Sequence, residues 1–248
     1  MAARRHLKNA PITEALVDLR ASATREFTPA SLVRLQEQLR STYPTIKESR
    51  AFETRLEIKP GQAPVSGSAD KGLHGYFFES SDGREIAQFR MDGFTYNRLH
   101  PYTDGQRILD EALRLWAFFV EAAAPTVVSR VALRYINHLR LPVPVPALAS
   151  YLTAPPVPPQ GAHGEVETFL TRILTYDPGT TLSVVTTQAS EKGIDLSLTT
   201  VILDIDAFRV ADLGVGIEDL RPTLGALRRL KNDVFFGSIS ERTVELYE

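Results

Sequence analysis

Apolar and polar positions alternate over much of this chain, and the longest alternating run is Val127–Leu141, near the middle. A β-strand directs successive side chains to opposite faces. One face of this strand would hold Val131, Leu133, Tyr135, Asn137, Leu139 and Leu141. The other would hold Arg130, Ala132, Arg134, Ile136, His138 and Arg140. The pattern predicts a central strand with an apolar face that carries one amide and an opposite face lined by cations.

Shorter alternating segments predict further strands on both sides of the central one. They are Ile12–Ala21, Phe52–Ile58, Leu73–Ser80, Arg84–Met91, Phe94–Leu99, Val166–Tyr176, Thr181–Ala189 and Ile194–Phe208. Asp82-Gly83 and Asp92-Gly93 separate three of these segments, and an Asp-Gly pair is a strong hairpin signal because both residues tolerate positive φ. The Gly-, Pro- and Ser-rich stretch Lys59–Gly72 is predicted to be a mobile loop.

Helical spacing of apolar residues is clearest in Asp104–Ala124, where Ile108, Ala112, Leu115 and Phe119 form one stripe. Pro125 would end this helix. The other predicted helices are Pro29–Ser41 after the cap Thr28, a short piece at Ala147–Leu152, a helix that begins at Asp219 or Arg221 with Leu224, Leu227 and Leu230 as its stripe, and a final short helix after the capping box Ser238–Glu241.

The elements follow the order strand, helix, meander, helix in the first half and strand, short helix, meander, helix in the second. Meanders with tight turns require antiparallel pairing. The sequence therefore predicts an α+β fold in which helices cover one face of an antiparallel meander sheet. We expect residues 1–248 to form a single domain, and the repeated order of elements suggests two pseudo-repeats, 1–125 and 126–248.

Composition bears on location and partners more than on function. The formal net charge of −2 provides no overall field to attract nucleic acid or an anionic membrane. The absence of cysteine excludes disulfides, thiolate metal sites and cysteine nucleophiles. The basic N-terminus is not followed by an apolar signal core, and no run reaches the roughly 18 apolar residues of a membrane helix. A cytoplasmic protein that binds neither membrane nor nucleic acid is the resulting expectation.

The cationic face of the central strand offers the first candidate site, formed by Arg130, Arg134, His138 and Arg140. Neighbours on one strand face are about 7 Å apart, so these heads could line a groove that binds a phosphate or a carboxylate. The first strand carries Glu14 and Asp18, which would instead form cross-strand ion pairs with the arginines if the two strands are adjacent. The structural role is the simpler interpretation, and the ligand role remains open.

Two amides and one carboxylate pair complete the candidates. Asn137 on the apolar face must be hydrogen-bonded or it costs about 1–3 kcal/mol, and it could tie a bulge or face a ligand. Asn9, before Ala10-Pro11, could form a local side-chain turn. Asp204 and Asp206 share one strand face and could hold a divalent cation on a phosphorylated substrate, although exposed strand carboxylates are commoner. The chain has no catalytic motif, and no cofactor or resident metal is predicted.

Two strings resemble a known group of proteins. The segments L-K-N-A-P-I-T-E-A-L (Leu7–Leu16) and R-V-A-L-R-Y-I-N (Arg130–Asn137), with a similar ending F-F-G-S-I-S-E-R-T-V-E-L, resemble a sporadically distributed bacterial family of uncharacterised proteins of about this length. The resemblance spans essentially the whole chain. It implies a bacterial source and an intact domain, and it supplies no catalytic residue. Asn9, Glu14, Arg134 and Asn137 lie in these strings and are candidates on that ground.

Three functional hypotheses follow. The first is a non-catalytic binding or protein-interaction module that holds a small anion in a groove or associates with a protein partner or with itself, as a homodimer would. The second is a metal-assisted enzyme acting on a phosphorylated or nucleotide-like substrate through Asp204 and Asp206. The third is an accessory component of a bacterial defence or toxin–antitoxin type system that acts through a partner.

Overall fold

Nine antiparallel strands form one sheet in the computed structural model, which describes residues 2–22, 27–57, 65–102, 104–191 and 197–248. In chain order the strands are β1 Ile12–Ala21, β2 Thr45–Glu57, β3 Val65–Glu79, β4 Glu85–Arg90, β5 Gly93–Leu99, β6 Val128–Leu141, β7 Leu170–Asp177, β8 Leu182–Glu191 and β9 Thr199–Leu213. Their order across the sheet is β2-β3-β4-β5-β1-β6-β9-β8-β7. The antiparallel α+β class predicted from the sequence is therefore confirmed.

Five α-helices and one 3₁₀ helix accompany the sheet within these residues. They are α1 Pro29–Val33, α2 Leu35–Leu39, α3 Gly105–Ala123, the 3₁₀ helix Val145–Ser150, α4 Ile217–Ser238 and α5 Glu241–Val244. Asp104 caps α3 because its carboxylate accepts a hydrogen bond from the backbone N–H of Gln106 at 2.9 Å. Ala124 ends α3 in the left-handed conformation, directly before Pro125. None of these helices is long and apolar enough to cross a membrane.

β1 and β6 pair at the centre of the sheet, with Val17 opposite Leu133 and Leu19 opposite Val131. These four side chains are fully buried and lie on the face that α3 and α4 cover. Trp116 of α3 packs against Phe94 of β5 with ring centroids 6.4 Å apart, and it donates its indole N–H to the carbonyl of Val215 at 2.8 Å. The aromatic residues Phe78, Phe89, Phe94 and Tyr96 of β3, β4 and β5 are all buried in this core.

The structure corrects several predicted boundaries. The predicted loop Lys59–Gly72 is a strand from Val65 onward, because β3 pairs along its length with β2 and this cross-strand pairing overrides the local turn propensity. Residues 58–64 and 192–196, which include parts of that loop and of the predicted strands Phe52–Ile58 and Ile194–Phe208, lie outside the described residues. The predicted helix Pro29–Ser41 is divided at Arg34 into α1 and α2.

The two C-terminal helix starts also differ from the prediction. α4 begins at Ile217, because Gly216 is extended and its N–H donates to the Asp219 carboxylate at 3.2 Å. The cap of α5 is Ser240, which receives the Thr243 N–H, and not Ser238. Glu241 accepts a hydrogen bond from the N–H of Ala3 at 2.6 Å, so it joins the two ends of the chain.

Candidate functional site

Two cations on the open face of β6, Arg130 and Arg134, are paired with carboxylates from the strands on either side. Arg130 lies 3.1 Å from Asp18 of β1 and 2.9 Å from Asp206 of β9. Arg134 donates two hydrogen bonds to Asp204 of β9, at 2.8 and 2.6 Å, and this pairing raises the pKa of Arg134. The predicted cross-strand pairing is therefore present, but β9 supplies two of the three acidic partners.

The remaining candidates on this face are Glu14, His138 and Arg140, and each has a hydrogen bond to a neighbouring segment. Glu14 accepts a hydrogen bond from Asn97 of β5 rather than from an arginine. His138 is half-buried, and its backbone N–H donates to the carbonyl of Pro11 at 2.9 Å. Arg140 is exposed, and its backbone N–H donates to the Tyr247 hydroxyl at 2.8 Å. No ion pair involves His138 or Arg140 in the described part of the chain.

Asp18 is the centre of this ionic network. Burial alone would raise the pKa of Asp18, but the hydrogen bond from Thr95 and the charges of Arg90 and Arg20 outweigh that effect and lower it. Arg90 is 8% exposed and lies 2.9 Å from Asp18. A shallow depression of about 280 Å³ opens over these residues. Because every arginine that lines it has a carboxylate partner, the depression offers little unmatched charge to a ligand.

A second depression, of about 350 Å³, lies on the helical side of the sheet and has a different character. Its walls come from the N-terminal segment, the centre of β6, the turn before α3 and the middle of α4. The lining residues are Arg4, Arg5, His6, Leu7, Ala10, Pro11, Ile12, Tyr102, Asn137, Arg228, Lys231, Asn232, Phe235 and Phe236. Three arginines, a lysine and a histidine line this cleft, and its lining residues include no aspartate or glutamate. We refer to these residues as the cationic cleft.

Both ends of the chain hold the cationic cleft in shape. The N–H of Ala2 donates to the carbonyls of Phe236 and Ile239 at the end of α4, each at 3.1 Å. Asn9 donates its backbone N–H to the Tyr247 carbonyl at 3.1 Å and its side-chain amide to the Glu248 carbonyl at 3.2 Å. Asn9 therefore pins the C-terminus to the N-terminal segment through its side chain, in place of the local side-chain turn expected for it.

Asn137 lies at the floor of the cationic cleft and is 1% exposed. Its amide nitrogen donates to the Leu203 carbonyl of β9 at 2.9 Å. It stands opposite Ile12, beside the irregularity that separates Ile12 from Glu14 in the β1–β6 register. Asn137 thus ties β6 to β9 through its side chain, and it also contributes to the surface of the cleft.

Lys231 is the unusual residue of the cationic cleft. Its side chain is 7% exposed, and Nζ lies 3.8 Å from the centroid of the Tyr135 ring and donates to the Asn232 amide oxygen at 2.6 Å. No carboxylate pairs with it among the described residues. Burial, and secondarily the charge of Arg228, lower the pKa of Lys231 to about 7. A buried amine without a counter-charge destabilises the folded state, and groups of this kind cluster at functional sites.

The other cations of the cleft are partly compensated from outside it. Arg4 pairs with Asp233, and Arg5 lies 2.8 Å from Glu241 and 2.7 Å from Glu248. Arg228 donates to the Gln106 side chain at 3.1 Å and is 3.9 Å from Asp104. Lys231 is therefore the buried basic group of the cleft that has no carboxylate partner among the described residues, and Arg228 is the arginine whose charge lowers the pKa of Lys231.

A third depression, of about 510 Å³, is larger, and two of its arginines are paired with carboxylates. There Arg98 lies 2.7 Å from Glu85, Arg114 lies 2.7 Å from Glu111, and the Tyr43 hydroxyl donates to Glu111 at 2.7 Å. Burial and these two carboxylates raise the pKa of Tyr43 far above its ordinary value. Of the three depressions, the cationic cleft is the one lined by a buried lysine, and that lysine has no carboxylate partner among the described residues. The buried Nε of Arg98 in the third depression has no hydrogen-bond partner, but it belongs to a guanidinium that is paired with Glu85.

The sequence-predicted residues thus divide between the two faces of the sheet. Asn137 reaches the cationic cleft, and Asn9 supports its wall, whereas Arg130, Arg134 and Glu14 lie on the opposite, ion-paired face. Lys231 was missed. A signal for it exists, since the buried stripe of α4 runs Leu220, Leu224, Leu227, Lys231 and Phe235, which places a lysine at a core position of an amphipathic helix.

Asp204 and Asp206 lie next to each other on the open face but are held by arginines. Arg134 binds Asp204 and Arg130 binds Asp206. Burial raises the pKa of Asp206, and the charges of Arg130 and Arg134 offset this only in part. No group of three or more His, Cys, Asp or Glu residues arranged to hold a metal ion occurs in the part of the chain described.

Comparison with known proteins adds no further assignment. No protein family, no curated protein and no solved structure matches this chain.

Proposed function

We propose that this protein is a non-catalytic binding module, resident in the cytoplasm, that holds a small anionic ligand in the cationic cleft. The observation that carries this proposal is the buried Lys231 amine, which has no carboxylate partner and is accompanied by Arg228. An anion placed between these two groups would supply the missing counter-charge and would be desolvated on several sides. The cleft volume of about 350 Å³ suits a small metabolite rather than a macromolecule.

Anion binding should depend on the cleft and not on the arginines of the open face. Calorimetric titration with inorganic phosphate and with pyruvate should give measurable binding to the wild type. We expect Lys231→Met and Arg228→Gln to weaken it at least about tenfold, equivalent to about 1.4 kcal/mol. Binding should also tighten from pH 8 to pH 6, because an anion near Lys231 favours the protonated amine.

The matched control is Arg134→Gln, which removes a cation from the opposite face of the sheet. It should leave the affinity unchanged. Equal loss of binding in Arg134→Gln and Lys231→Met would contradict the assignment of the cationic cleft, as would the absence of any heat with either anion.

Self-association is a second candidate function, favoured by the edge strand β7. Its large apolar side chains Leu170, Ile173, Leu174 and Tyr176 are 60–72% exposed, and one backbone edge of β7 is unpaired in the sheet order. Such an edge is a template for another strand. β7 carries one arginine and one aspartate, so it does not repel a copy of itself. Antiparallel pairing about Leu174 would place Arg172 of each copy against Tyr176 of the other.

A homodimer built on β7 should dissociate when a charge enters the edge. Light scattering should give the mass of a dimer for the wild type and of a monomer for Ile173→Lys, since charged edge residues prevent strand pairing. Val157→Lys alters another exposed apolar side chain, 82% exposed, and should remain dimeric. A wild-type monomer at the highest attainable concentration would rule out this mode of association.

We also propose that the single domain 1–248 consists of two pseudo-repeated halves, 1–125 and 126–248. In support, β5 returns to pair with β1 in the first half, and β9 returns to pair with β6 in the second. A long helix, α3 or α4, follows the returning strand in each case. The cationic cleft then lies where the start of the first half meets the end of the second.

The other hypotheses remain predictions. The metal-assisted enzyme has no supporting observation, because Asp204 and Asp206 are engaged by arginines. The resemblance to the bacterial family with the N-A-P-I-x-E-A string stays a prediction. A role in a defence or toxin–antitoxin type system also stays a prediction, and the genomic neighbours of the gene would test it.

A further inference from the structure

Lys231 has the geometry of a reactive amine as well as that of an anion ligand. Among the lysines that the structure describes, it is the one that is buried. Nζ donates one hydrogen bond to the Asn232 amide oxygen at 2.6 Å and faces the cationic cleft. A neutral amine that donates one N–H in this way keeps its lone pair available to an electrophile.

Its surroundings also favour the neutral form of the amine. Burial lowers the pKa of Lys231 to about 7, and Arg228 adds to the effect. An ordinary lysine, with a pKa of about 10.4, has roughly a thousandfold less free amine at neutral pH. Desolvation next to another cation is a recognised way to activate a lysine toward carbonyl compounds.

The same cleft selects the electrophile. Arg228, His6 and the flanking N-terminal arginines favour a ligand that carries a carboxylate or a phosphate. We propose that Lys231 condenses reversibly with the carbonyl carbon of a small anionic aldehyde or ketone, so that the ligand is held as an imine. This inference rests on the proposed function, since it specifies the ligand class of the same cleft.

The chemical step needs no redox partner. The Nζ lone pair attacks the carbonyl carbon, the C=O π bond breaks, and one of the two amine protons moves to the carbonyl oxygen to give a neutral carbinolamine. Loss of the nitrogen proton and departure of the hydroxyl as water leave a C=N bond between ligand and Lys231. The amine and the carbonyl compound are recovered when water adds back, so this step amounts to covalent binding and not to turnover.

Borohydride trapping followed by peptide mass mapping tests the proposal on the wild-type protein. Pyruvate represents oxo acids and glycolaldehyde phosphate represents phosphorylated aldehydes. We expect a reduced adduct on Lys231 with at least one probe, at least about tenfold above that on exposed Lys8 or Lys47 at pH 7.5. Acetone, which has the carbonyl but no anionic group, should label Lys231 far less than pyruvate does.

The controls separate this proposal from the proposed function. Lys231→Met should lose the selective adduct while retaining the wild-type level on Lys8. Labelling spread evenly over exposed lysines, with Lys231 unmodified, would overturn imine formation. If calorimetry still shows pyruvate binding that depends on Arg228, the anion site stands and only the covalent step fails. If calorimetry shows no binding at all, the proposed function fails as well.

Discussion

Lys231→Met should make the folded protein more stable than the wild type at pH 7, by about 2–4 kcal/mol. The pKa of Lys231 is lowered from 10.5 to about 7 on folding. At any pH between these two values, the amine therefore releases a proton when the chain folds. The unfolded state then binds more protons than the native state, and the stability of the wild type rises with pH across that window. Below about pH 7 the amine is charged in both states, and the wild type keeps the full free-energy cost of burying that charge.

Methionine fills a similar volume without a charge, so the variant lacks this linkage. The difference in unfolding free energy between Lys231→Met and the wild type should be largest at and below pH 7 and should shrink toward pH 10. Urea unfolding at several pH values measures it. Other groups near the cleft, namely His6, Tyr102, Tyr135, Arg4, Arg5 and Arg228, are common to both proteins, so the comparison largely cancels their titration.

Lys8→Met is the matched control, because Lys8 is exposed. Its stability should stay within about 0.5 kcal/mol of the wild type at every pH. A destabilised Lys231→Met, with no pH dependence in the difference, would mean that Lys231 is fully compensated in the native protein.

Asp18→Ala should be the most destabilising single change on the open face, at a cost of about 3–5 kcal/mol. Asp18 accepts hydrogen bonds from Arg90 at 2.9 Å, Thr95 at 2.6 Å and Arg130 at 3.1 Å. Its removal leaves the guanidinium of Arg90, which is 8% exposed, without its β1 partner. Breaking one member of a buried network costs more than the net contribution of the ion pair, because the remaining charges stay desolvated.

The pH dependence of this loss has the same sign as that of Lys231, because the pKa of each group is lowered on folding, but it falls in the acidic range. The pKa of Asp18 is lowered in the folded protein, so its contribution is present above 3.8 and is lost as the pH falls through the folded pKa. The gap between wild type and Asp18→Ala should therefore narrow in acid. Asp110→Ala, which breaks the exposed pair with Arg221, should cost less than about 1 kcal/mol. Equal losses from the two variants would show that the network is not cooperative.

Strand positions could be predicted where the alternation of apolar and polar residues is complete. β1 has the predicted bounds, and β6 begins one residue later than predicted, because each presents one almost entirely apolar face to the core. The N-terminal part of β3 was not predictable in this way. Val65–Gly72 is rich in glycine and serine, and its strand conformation comes from pairing with β2, which local sequence does not reveal.

The candidate site was only partly predictable. Alternation along β6 places Asn137 on the buried face, and the cationic ladder was correctly assigned to the other face. The ion pairs of the β6 arginines with Asp204 and Asp206 could not be predicted, because the sequence does not reveal that β9 lies next to β6 in the sheet. The cationic cleft depends on both chain ends meeting at α4, and these contacts join residues more than 200 positions apart in sequence.

Nuclear magnetic resonance tests most directly whether Lys231 is an uncompensated amine facing the cationic cleft. The chemical shifts of the Lys231 side chain, assigned by comparison with Lys231→Met, can be followed against pH. We predict a midpoint near pH 7 in the free protein and a higher midpoint when inorganic phosphate is bound. A midpoint near 10.5, unchanged by phosphate, would contradict both the electrostatics of the cleft and the function proposed for it.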